Sequence, residues 1–166
     1  MNTLLAVDTN FLMDLARPRD VALDALEIIR RRVRGLQILV TPTVFGEITD
    51  LAVDERAPAT RVCARKAISS MRVWDMFPIE TTDLQATIAG FAANKLITQG
   101  VIPLEERNDA LIIAEAAVLD CQVLVSSDSH LRDADLARMA LVLRECQLPM
   151  VVISKPDEIV RQFSGR

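Results

Sequence analysis

Histidine, cysteine and aromatic side chains are scarce in this chain, and each scarcity removes a class of function. One histidine and three cysteines stand among 166 residues. Cys63, Cys121 and Cys146 are far apart and odd in number. That pattern argues against a disulfide framework and against a zinc site, and reads as apolar thiols in a reducing cytosol. Tyrosine is absent, and five Phe and one Trp are the only aromatics. Leu, Ile, Val and Ala must therefore fill the core, and no aromatic platform for stacking bases is evident. Positive charge is not in excess either: 19 Lys and Arg face 23 Asp and Glu, a net charge of -4. A protein that holds nucleic acid by its overall field should be basic, so any such contact must rest on local patches or on metal at an acidic site. No glycine-rich turn follows the first apolar run, which removes a dinucleotide fold. The most apolar stretch, residues 110–125, is too short to span a bilayer and is interrupted by Glu115, Asp120 and Gln122. The first residues have no basic segment before their apolar run stops at Asp8. These absences predict a cytoplasmic protein with no membrane association.

What is present reads as a single domain over residues 1–166. Apolar runs of strand length occur at 4–7, 36–40 and 122–125, with two more at 77–80 and 150–153. Helical spacing fills the gaps. One helix follows Pro18 with Val21, Leu23, Leu26, Ile29 and Val33 as its apolar positions, and ends at Gly35. Thr41-Pro42 offers an N-cap and a first-turn proline to a helix whose core face would be Val44, Phe45, Ile48, Leu51 and Ala52. Pro58 opens a helix to about Trp74, and residues 81–83 cap one carrying Leu84, Ile88, Phe91 and Leu96. An apolar helix covers 108–119, and Pro156 begins the last. Strands that alternate with helices, and that are apolar throughout rather than at every second residue, predict an α/β fold: an open parallel sheet flanked by helices on both faces.

In such a sheet, sites form at the carboxyl ends of the strands. Asp8 directly follows the first strand, and Asp128 closely follows the strand ending at Val125. Either acid could also serve only as a cap or turn residue. Glu47 sits just after the second strand, about 40° from Leu51 at roughly 100° per residue, on the border of the apolar stripe. Asp50 and Asp54 fall further round, towards solvent. Asp109 lies in a helical first turn, where the dipole alone would favour it, yet it shares a face with Ile113 and Ala116 that should be buried. Four carboxylates converging on one edge repel each other, and no Lys or Arg adjoins them in sequence. A hard divalent cation is the natural compensation, and oxygen-only ligands suit Mg²⁺ or Mn²⁺. Such a site activates water and stabilises charge developing on a phosphodiester, which predicts a nuclease.

Four segments together resemble the PIN domain, the fold of the VapC-like toxins of bacterial toxin–antitoxin modules and related endoribonucleases. They are Leu4-Leu-Ala-Val-Asp8-Thr9-Asn10-Phe11-Leu12, Thr43-Val-Phe-Gly-Glu47-Ile, Asn108-Asp109-Ala-Leu-Ile-Ile-Ala, and Leu124-Val-Ser126-Ser127-Asp128-Ser-His-Leu. The resemblance spans residue 4 to about residue 153 and implies a five-stranded parallel sheet in a three-layer sandwich. It implies Mg²⁺- or Mn²⁺-dependent cleavage of RNA, with Asp8, Glu47, Asp109 and Asp128 as catalytic, metal-binding acids. Asn10 and Ser126 would orient those acids by hydrogen bonding. An antitoxin protein as partner and a homodimeric assembly belong to the same expectation. The middle helices make this chain longer than the compact toxins.

Basic residues add one further candidate. Arg61, Arg65 and Arg72 recur at helical spacing, beside Lys66, and could form a track for the RNA backbone or a solvated face. Arg30, Arg31, Arg32 and Arg34 read as a solvated helix end. His130, two residues after Asp128, reads as a surface residue rather than a general base. Two other functions compete: a phosphoryl-accepting receiver-like or phosphatase-like domain using Asp8, and a non-catalytic α/β binding module. Lys155 is poorly placed for a receiver, and position 10 is Asn where a phosphatase would want Asp.

Overall fold

The computed structural model describes residues 3–17, 19–128, 131 and 134–163. The first apolar run forms β1 (Thr3–Val7), and Asp8 caps the short α1 (Thr9–Ala16) that follows. Then come α2 (Asp20–Arg32), β2 (Leu36–Val40), α3 (Pro42–Val53), α4 (Pro58–Ser70) and β3 (Met76–Pro78). The second half comprises α5 (Asp83–Thr98), a 3₁₀ turn (Leu104–Glu106), α6 (Arg107–Val118), β4 (Val123–Val125), α7 (Leu136–Glu145), β5 (Val152–Ser154) and α8 (Pro156–Phe163). Among the described residues, no helix is long and apolar enough to cross a membrane.

All strand pairs are parallel, in the order β3-β2-β1-β4-β5. The successive residues Leu5, Ala6 and Val7 of the central strand are all buried, so both faces of the sheet are covered by helices. This is the α/β three-layer architecture that the alternation of strands and helices predicts. The order also removes the receiver-like alternative, whose sheet runs 2-1-3-4-5. Gly35, at φ +63°, makes the turn from α2 into β2, and its carbonyl accepts from Thr3 N. The left-handed backbone there is open to glycine at little steric cost.

Several helical faces differ from the sequence expectation. On α2 the buried residues are Ala22, Ala25, Leu26 and Ile29, while Val21 and Leu23 are exposed. On α3, Val44, Ile48 and Ala52 face inward, Leu51 is half-buried and Phe45 is exposed. On α5 the buried residues are Ala89, Ala92, Ala93 and Leu96, and Leu84 and Phe91 point out. On α2 and α5 the reason is shared. Small alanines let helices approach closely, so the contact stripe follows the alanines rather than the bulkiest side chains. The third and fifth strands begin at Met76 and Val152, with pairing registers Ile38↔Met76 and Val123↔Val152. The sequence reading assigned no element to α7. Asp135 caps it by accepting from Ala137 N and Arg138 N, and it buries Met139, Val142 and Leu143.

Candidate active site

The site follows from strand register. Val7 aligns with Val40 of β2 and with Val125 of β4, so Asp8, Thr41 and Ser126 emerge side by side at the carboxyl edge. Asp8 N donates to Val125 O at 3.0 Å, extending the ladder to the acid itself. Asp8 Oδ1 caps α1 by accepting from Phe11 N at 2.6 Å, and Oδ2 accepts from the Ser126 hydroxyl. Ser126 Oγ in turn accepts from Asp128 N at 3.0 Å. Asn10 Nδ2 donates to Asp128 Oδ2 at 3.3 Å. Asn10 therefore bridges the two strand-end acids' neighbourhoods, and Asp8, not Asn10, is the helix cap.

Glu47 and Asp109 come from helices. Glu47 Oε1 accepts from Asn108 Nδ2 at 2.6 Å, and its Oε2 accepts from the Thr9 hydroxyl. Thr9 and Asn108 were not singled out from sequence as holders of Glu47. The only signal was their position beside Asp8 and Asp109. Asp109 lies in the first turn of α6, and its Oδ2 is buried with no hydrogen-bond partner among the described residues.

Glu47, Asp109 and Asp128 line one cleft of about 820 Å³, together with Thr9, Asn10 and Asn108. Asp8 lies behind them, only 4% exposed. Asp50 and Asp54 also line the cleft; Asp50 is exposed, as its place on the helix predicts, and Asp54 is half-buried. Two arginines, Arg56 and Arg107, reach it as well. No cation adjoins the acids in sequence, and the α3–α4 turn and the start of α6 supply these two. Arg56 is paired with Asp54 at 2.9 Å.

The acids feel one another. Burial is the main cause that pushes Asp8 up to about 6, against hydrogen bonds from Ser126, Phe11 and Ser127 that favour its charge. Asp109 is pushed up to about 7, first by burial and then by the negative charges of Asp128, Glu106, Glu47 and Asp8. Among the described residues no three His, Cys, Asp or Glu side chains already enclose a cation-sized space. Asp8 and Glu47 are turned instead to their hydroxyl and amide partners. The donor set still fits a hard divalent ion: it is all oxygen, mutually repelling, and includes the orphaned Asp109 Oδ2.

The arginine track does not reach the cleft. Arg65 Nε donates to Ala52 O at 2.9 Å and so caps the carboxyl end of α3. Arg61 is half-buried beside Asp54, whose carboxyl it helps to hold low. Arg72 lies in the turn before β3, next to Val73 and Asp75, which Arg30 at the end of α2 contacts. That turn precedes the amino end of β3, so Arg72 sits on the edge opposite the acids. Arg31 pairs with Glu27, and Arg32 lies over the Phe163 ring. His130 lies outside the described residues. Cys63, Cys121 and Cys146 are free, and burial pushes the Cys121 thiol up to about 12.

A scan of the sequence against protein-family models finds no match, and a search of curated proteins finds no significant relative. Solved structures do match. A chain of VapBC2 from Rickettsia felis, bound to a DNA fragment from their promoter, is 14% identical with a TM-score of 0.59, over 92% of this chain and 98% of that one. A chain of VapBC-1 from nontypeable Haemophilus influenzae is 15% identical with a TM-score of 0.61, over 93% of this chain and 99% of that one. With five parallel strands, helices on both faces and these likenesses over its length, the chain has the PIN-like α/β three-layer fold.

Proposed function

We propose that this protein is a Mg²⁺- or Mn²⁺-dependent endoribonuclease and the toxin of a toxin–antitoxin pair. The observation that carries the nuclease reading is the buried oxygen of Asp109 that has no partner among the described residues, set among three other acids at the carboxyl edge. A buried carboxylate oxygen without a partner is costly, and a cation is the partner this donor set favours. RNA as substrate and an antitoxin as partner draw support from the four motifs and from the likeness to VapBC chains.

Glu47, Asp109 and Asp128, which line the cleft, would hold the ion, with Asp8 behind them. When bound, the ion lowers the pKa of water and neutralises charge building on the scissile phosphate. The chain's own residues set the arrangement. Ser126 fixes Asp8 and the backbone of Asp128, Asn10 holds the Asp128 carboxylate, and Thr9 and Asn108 hold both oxygens of Glu47. Arg107 stands exposed at the rim, free to meet a phosphate of the incoming strand.

The test is cleavage of an RNA panel by pure protein with Mg²⁺ or Mn²⁺, beside calorimetric titration of Mn²⁺, for the natural chain and Asp109→Asn. Cleavage and Mn²⁺ binding that both vanish in the variant support the proposal. A natural chain that neither binds Mn²⁺ nor cuts RNA would make this a non-catalytic module on the same fold.

A further inference from the structure

Glu115 is a buried acid that the site described above does not use. It is 7% exposed, in the middle of the apolar helix α6. Its two oxygens accept from Thr43: Oε2 from the backbone N–H at 3.1 Å and Oε1 from the hydroxyl at 2.7 Å. Thr43 occupies the first turn of α3, whose N–H groups have no partner within the helix. Thr41, in the N-cap position, makes no side-chain cap bond, and its hydroxyl is buried without a partner among the described residues. Glu115 therefore caps α3 from another helix, and its negative charge meets the positive end of the α3 dipole.

The placement matters because both helices carry site acids. Thr43 and Glu47 are four residues apart, about one turn and roughly 6 Å along α3. Asn108 and Glu115 are seven residues apart, nearly two turns and roughly 10 Å along the same face of α6. The two helices are thus joined at two points, Asn108 to Glu47 and Glu115 to Thr43. The buried face of α3 packs it into the core, and these ties add directional bonds to α6 at two heights. Two ties fix how each helix is rotated, and hence whether Glu47 and Asp109 face one cleft. We infer that Glu115 is a positioning residue: acting through Thr43, it holds the α3 acid Glu47 in register with the α6 acid Asp109. Its effect on metal binding rests on the function proposed above, whereas its hold on α3 does not.

The experiment therefore reads two things in the full chain. One is Mn²⁺ affinity by calorimetry. The other is the side-chain amide NMR signal of Asn108 in metal-free protein, which reports its bond to Glu47. Glu115→Ala is expected to weaken Mn²⁺ binding about tenfold, as loss of a ligand's supporting partner does, and to move the Asn108 signal. Glu115→Gln can still accept from Thr43 N and donate to its hydroxyl, and should keep both readouts near those of the natural chain. So should Thr43→Ser. If Glu115→Ala does not fold, Thr43→Ala takes its place, with a smaller loss of the same sign. A folded variant with Mn²⁺ affinity within twofold of the natural chain and an unmoved Asn108 signal overturns the inference. If the natural chain binds no Mn²⁺, the proposed function fails and the Asn108 signal alone decides: movement in Glu115→Ala upholds the positioning role, and none refutes it.

Discussion

The strand-end acid Asp8 and the helix-borne acid Asp109 meet at one edge under opposite conditions. Asp8 is the more deeply buried, yet each of its oxygens has a donor, from Phe11 and Ser126. Asp109 is less buried, yet one of its oxygens has no partner among the described residues, and its pKa stands higher, about 7 against about 6. Burial alone would order them the other way. Hydrogen bonding to the charged form and crowding by neighbouring acids reverse the order. Asp8 is thus internally satisfied, as is the helix-borne Glu47, whereas Asp109 keeps an oxygen without a partner among the described residues.

The largest expected effect tests that division directly. Asp109→Asn should lower Mn²⁺-dependent RNA cleavage at least about 100-fold, the scale on which a charge contact made in the transition state acts. The same variant should unfold at a higher temperature than the natural chain when both are metal-free at pH 8, because a repelled charge is gone. A variant less stable than the natural chain under those conditions would contradict the unsatisfied reading of Asp109.

The pH dependence separates the two regions next. A carboxyl whose folded pKa is raised binds more protons folded than unfolded between those two values, so stability falls as pH rises through that window. Well below pH 3.8 both states are protonated and no penalty exists. Asp8 should cost the metal-free fold about 3 kcal/mol once pH passes 6, taking its shift from 3.8 to about 6 at 1.36 kcal/mol per unit. Asp109 extends the decline towards pH 7 and above. Urea unfolding from pH 4 to 8 should show the fall. Asp8→Asn should flatten only its lower part, whereas Asp109→Asn should flatten the fall across the whole range up to about pH 7. Saturating Mn²⁺ should stabilise the protein more at pH 8 than at pH 5, because only ionised carboxylates bind it.

Smaller effects probe the supports. Ser126→Ala removes the donor to Asp8 and the acceptor for Asp128 N, and should cost about 1–3 kcal/mol in urea unfolding. Asn108→Ala frees one oxygen of Glu47 near solvent and should cost about 1 kcal/mol or less. Smallest of all, Arg72→Ala should leave RNA cleavage and its salt dependence unchanged. A drop in both would restore to the arginine track Arg72, which the fold places on the far edge.

Sequence made the strand-end region legible for a simple reason. Apolar runs that stop at Asp8, Thr41 and Ser126 announce strand ends, and a parallel sheet brings strand ends together. The helix-borne pair was harder. Glu47 lies on the border of its stripe, and Asp109 has an ordinary excuse in the helix dipole. The order of motifs linked them, but nothing local showed that Thr9 and Asn108 would grip Glu47. The α5 face went wrong because hydrophobic weight favours Leu84 and Phe91, whereas close helix contact favours Ala89, Ala92 and Ala93. Helix α7 escaped although Asp135, Met139, Val142 and Leu143 carry its cap and spacing.

The amino-acid sequence by itself determined the parallel sheet, its carboxyl edge and the four acids in order. These follow from local runs, caps and periodicity, which act over a few residues. Only the tertiary structure decided which acids are satisfied, which arginines reach the cleft and which carboxylate caps α3. Those depend on pairs such as Thr43 and Glu115 or Asn108 and Glu47, far apart in the chain and joined only when helices pack.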